Sequence, residues 1–74
     1  MAELRAKLNR EFERKGVMSR YVAESPGRVV NVVDRLTGQR MRVDHMRKGE
    51  LAFFVGGLIV DERERKGRVD RGEP

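Results

Sequence analysis

The sequence predicts an α+β domain: an N-terminal helix packed on a small antiparallel sheet centred on a 28–45 hairpin, a third apolar element at 51–60 and a disordered C-terminal tail. Three observations carry that prediction. Leu4, Leu8 and Phe12 recur at every fourth residue, which is helical spacing. Val29, Val30, Val32 and Val33 form a β-branched run that ends in the turn sequence Asp34 to Gln39. Leu51 to Val60 is apolar apart from its two glycines. At 74 residues the chain holds one domain, placed at 1–66, with 67–74 as the tail.

The first helix is expected over Ala2 to Lys15, with Gly16 as its stop. Glu3 with Lys7 and Glu11 with Lys15 have the i, i+4 spacing that supports helix formation. The apolar stripe is narrow, so this helix must dock on another element to persist in water. Residues 18–24 read as an edge strand or extended arm, and Ser25-Pro26-Gly27 turns the chain.

In the central hairpin the loop length decides which side chains share a face. A four-residue loop, Arg35 to Gly38, pairs Asp34 with Gln39, Val32 with Met41 and Val30 with Val43. That register puts Val30, Val32, Met41 and Val43 on one face, and Arg40 and Arg42 on the other with Val29, Asn31 and Val33. It also uses Asp34 and Thr37 as hydrogen-bonding turn residues, with Gly38 at the position requiring positive φ.

Residues 51–60 admit two conformations. A helix gathers Leu51, Phe54, Val55, Leu58 and Ile59 on one face, but adjacent glycines in its interior cost about 2 kcal/mol relative to alanine. A second hairpin uses Gly56-Gly57 as a two-residue turn, pairing Val55 with Leu58 and Phe53 with Val60, and the sequence leans this way. A helix would give a helix, hairpin, helix order similar to the small head-to-tail joining proteins of tailed phages, a likeness that no motif carries. Asp61 to Lys66 has the charge pairing of a short helical turn, and Gly67 to Pro74 reads as disordered.

Composition narrows the function. With no cysteine there are no disulfides or thiolate metal sites, and a single histidine makes a zinc site improbable. No phosphate-binding glycine motif and no G-x-S-x-G surrounds any candidate residue, so no cofactor, small-molecule substrate or catalytic residue is expected and the chain reads as a non-enzyme. The apolar run is too short to span a bilayer and Met1 to Gly16 is charged throughout, so a cytoplasmic protein without membrane attachment is expected. His45 reads as an edge histidine on the parity of Val43 and Met41.

Net charge is +5, and arginine supplies most of the 17 basic residues. Arg28, Arg35, Arg40, Arg42, Arg47 and Lys48 all belong to the hairpin or its base, where they suit a phosphate backbone. The first expectation is therefore a regulatory or accessory protein that binds nucleic acid through this ribbon. The alternative is a small adaptor or inhibitor of phage or mobile-element type, docking on a larger machine such as RNA polymerase or a viral particle joint. Its interface, with a protein partner or in a homodimer, would include Phe53, Phe54, Leu58 and Ile59.

Overall fold

The computed structural model describes residues 2–72. The elements run α1 (Ala2–Arg14), β1 (Tyr21–Glu24), β2 (Asn31–Asp34), β3 (Arg40–Arg42) and α2 (Lys48–Asp70), an α+β arrangement. The strands form an antiparallel sheet in the order β1-β2-β3. Both helices contribute to a core on one face of that sheet.

Helix α1 ends through its glycine. Gly16 takes φ 74°, its amide donates to the Glu13 carbonyl, and the Val17 amide reaches back to the Phe12 carbonyl at 2.9 Å. This closing turn satisfies the last helical carbonyls and places Val17 next to Phe12, both fully buried. Asn9 ties α1 to the outer edge of β1: its amide nitrogen donates to the Ala23 carbonyl and its carbonyl oxygen accepts from the Ala23 amide at 2.7 Å. A strand edge that would otherwise offer free hydrogen-bonding groups is thereby covered.

The central hairpin has the four-residue loop. Val32 pairs with Met41, Asn31 with Arg42 and Val33 with Arg40. The Asp34 amide donates to the Gln39 carbonyl, Asp34 Oδ1 accepts from the Leu36 amide, Thr37 Oγ1 accepts from the Gln39 amide, and Gly38 sits at φ 79°. Val30, Val32 and Val43 are fully buried, with Met41 packed against them, while Arg40 and Arg42 are exposed on the outer face. The strand before the hairpin is shorter than expected: residues 18–20 form a turn, and β1 starts at Tyr21. It adds Tyr21 and Ala23 to the core face.

The expected second hairpin at 51–60 is instead the first half of α2, whose 23 residues span about 35 Å of the molecule's 41 Å long axis. Leu51, Phe54, Val55, Leu58, Ile59 and Glu62 follow helical spacing onto the core. Continuity with the charge-paired 61–66 segment supplies the helical hydrogen bonds that offset the glycine cost. The stretch read as a loose tail begins as the last turn of this helix, since α2 passes through Gly67 to Asp70; residues 73 and 74 lie outside the described residues.

Two stability measurements follow. Among the described residues a Cβ at Gly57 would meet nothing within 4 Å. Gly57→Ala is therefore expected to raise the unfolding free energy by about 1 kcal/mol, read as a higher urea midpoint at unchanged slope. Phe12→Ala is expected to cost about 3–5 kcal/mol, enough to abolish cooperative unfolding in a domain of this size.

Candidate interaction surfaces

Charge and apolar surface are distributed quite differently from the sequence expectation. On the outer face of the sheet, Arg40 lies 3.8 Å from the Glu24 carboxylate across the strands. Arg42 makes a two-pronged contact with Asp44 at 2.9 and 3.0 Å. That guanidinium, with the Val30 amide donating to the same carboxylate, holds Asp44 far below the usual carboxylate range. Two of the six hairpin cations are thus already matched to acids.

The other four are dispersed. Arg35 is exposed in the β2–β3 turn and Arg28 in the β1–β2 loop, at opposite ends of β2. Arg47 precedes α2 without a side-chain capping bond, and Lys48 is its first residue. Among the described residues none of these four forms an ion pair. The apolar set divides as well. Phe53 is 87% exposed, Phe54 and Leu58 lie half-buried against the core, and Ile59 belongs to the core itself. His45 is exposed in the turn after β3, and Ser25 donates its hydroxyl hydrogen bond to the Val29 carbonyl.

Between α1 and α2 lies a groove of about 500 Å³. Its floor is apolar: Leu4 and Leu8 from α1, and Leu51, Val55 and Ile59 from α2. Its rim carries Lys7, Lys15, Lys48 and Arg63. None of these four cations forms an ion pair among the described residues. Glu11, the acid on the same wall, is held instead by Arg14 at 2.8 Å, one residue short of the expected Lys15 partner. Ala52 and Gly56 leave the α2 wall low, with nothing among the described residues within 4 Å of a Cβ built on Gly56.

A charge network outside the sequence expectation joins the turn before β1, the end of β2 and α2. Arg20 grips the Asp34 carboxylate at 3.2 and 3.1 Å and reaches Glu62 Oε1 at 3.3 Å, while Arg65 holds both Glu62 oxygens at 2.7 and 2.9 Å. Glu62 is fully buried and Asp34 nearly so. Arg20 also stacks 4.9 Å above the Tyr21 ring centroid. The guanidinium of Arg20 keeps Asp34 ionised below its usual range, and Arg65 followed by Arg20 does the same for Glu62. One signal was available: Glu62 continues the spacing of Val55 and Ile59, which places a carboxylate at a core position of α2.

No helix among the described residues is long and apolar enough to cross a membrane. No protein-family model matches the chain, and no curated protein or solved structure matches it.

The buried network sets a pH dependence. Asp34 and Glu62 titrate lower in the folded chain than their ordinary values of 3.8 and 4.5, so their stabilisation is complete above those values and lost as pH falls through and below them. The urea midpoint should stay level down to about pH 5 and fall below about pH 4.5. Arg20→Met leaves the buried Asp34 carboxylate without a cation and Glu62 with Arg65 alone, and is expected to cost about 3 kcal/mol near neutral pH. That deficit should narrow on acidification, which paired urea titrations across pH would measure.

Proposed function

We propose that this chain is a non-enzymatic cytoplasmic adaptor that docks on a larger protein through the face formed by α1 and α2. The observation that carries the reading is the open groove with an apolar floor, lined also by the exposed Val60, on a helix that carries the exposed Phe53 as well. Surface apolar residues aligned beside a concave apolar strip are the usual mark of a protein contact. Function through nucleic acid is less well supported, because Arg40 and Arg42 are matched to Glu24 and Asp44 and the remaining hairpin cations are spread over both ends of the sheet. Phosphate recognition gains affinity from several unpaired cations tracking one backbone.

A photo-crosslinking side chain at position 53 tests this. In cells it is expected to yield a discrete protein adduct that is lost when Gly56→Leu fills the groove. Binding to duplex DNA, single-stranded DNA and RNA, titrated across salt, is expected to be negligible near physiological ionic strength. Tight binding with a steep salt slope and no protein adduct would overturn the adaptor reading in favour of phosphate recognition.

A further inference from the structure

The groove between the helices also specifies the chemistry of its occupant. We infer that it receives an acidic amphipathic helix of a partner protein, about three to four turns long, with an apolar stripe on the floor and carboxylates at the rim. This rests on the adaptor reading above and names the partner.

The length comes from α2, whose groove wall runs from Lys48 to Arg63, about 22 Å of helix. An open trough of that length beside two helices suits a third helix, which packs at about 8–10 Å between axes where small residues allow close approach. Ala52 and Gly56 provide that low wall. Among the described residues a Cβ at Gly56 would meet nothing within 4 Å, so no contact there offsets the glycine's cost within the helix. A partner backbone resting there would make use of the missing side chain.

The sign of the partner comes from the rim. Lys7 and Lys15 stand two turns apart on the α1 wall, and Lys48 and Arg63 bracket the α2 wall, all without ion pairs among the described residues. Glu11, the only acid on the rim among the described residues, is paired with Arg14. An apolar stripe flanked by glutamates meets that surface, while one flanked by lysines is repelled. A second copy of the chain is a poorer match, since residues 1–60 of each copy carry twelve bases against seven acids.

The test uses the full chain and a designed helical peptide of about 14 residues with leucines at i, i+3, i+4 and i+7 and glutamates on both flanks. Amide chemical shifts are expected to move at Leu4, Lys7, Leu8, Val55, Gly56 and Arg63 on titration. Replacing the peptide's glutamates by glutamine should weaken binding by at least about tenfold, and Lys7→Glu with Arg63→Glu should do the same. Gly56→Leu, which favours the helix and therefore the fold, should abolish the shifts at an undiminished urea midpoint.

Equal binding of the glutamate and glutamine peptides would overturn the acidic specificity while leaving a docking groove. Binding of neither peptide would overturn the helix occupant, and the position-53 adduct then decides separately whether the adaptor reading stands. Concentration-dependent dimerisation in light scattering, abolished by Gly56→Leu, would assign the groove to a second copy. Saturation of the groove by oleate with the glutamate peptide unable to compete would assign it to an anionic lipid.

Discussion

The contact on which the tertiary arrangement depends is the grip of Arg20 on Asp34 and Glu62. These residues come from the turn before β1, the end of β2 and the middle of α2, so one guanidinium joins the sheet to the second helix. Two carboxylates brought together out of water would repel one another and lose their hydration. With Arg20 between them and Arg65 completing Glu62, each is hydrogen-bonded and charge-matched. Apolar packing by Val55 and Ile59 holds α2 to the core without fixing its rotation closely, whereas a buried carboxylate with directed partners accepts a single orientation.

That orientation determines what the surface offers. With Glu62 turned inward, the adjoining faces of α2 fall outward and sideways, leaving Phe53 in solvent and Ala52, Gly56 and Arg63 along the groove. Lys66 adds a second tie near the same end, donating to the Gly16 carbonyl at 2.7 Å, where α1 closes. The helices are therefore pinned at that end, and the trough between them stays open along the stretch lined by Leu4, Leu8 and Leu51. The narrow stripe of α1 leaves its flanks free to carry Lys7 and Lys15 at the rim.

Much of the local structure was legible in the residues. The register of the central hairpin follows from the turn chemistry of Asp34, Thr37 and Gly38, and a slip by one residue would have put Arg40 and Arg42 on the same face as Val30 and Val32. The end of α1 follows from Gly16 for a similar reason. The 51–60 segment was not decided locally: a glycine pair has the same appearance in a hairpin turn and in a helix, and Arg47 provides no capping side chain to mark where the helix begins. The hairpin cations were legible as charges but not as free charges, since the partners of Arg40 and Arg42 are set by strand pairing and by the turn after β3.

The sequence by itself determined the α+β class, the pairing of β2 with β3 and which of their side chains face inward, because these depend on short-range turn geometry and on the two-residue period of a strand. Only the tertiary structure decided that α2 is one continuous helix, that the partly buried Arg20 bridges two buried acids, and that a trough with an apolar floor and a cationic rim lies between α1 and α2. Each of those depends on contacts between residues far apart in the chain, as in the pairing of Arg20 with Glu62 across 42 positions. Local propensity does not register such a contact, and the energy that favours it exists only once the elements have met.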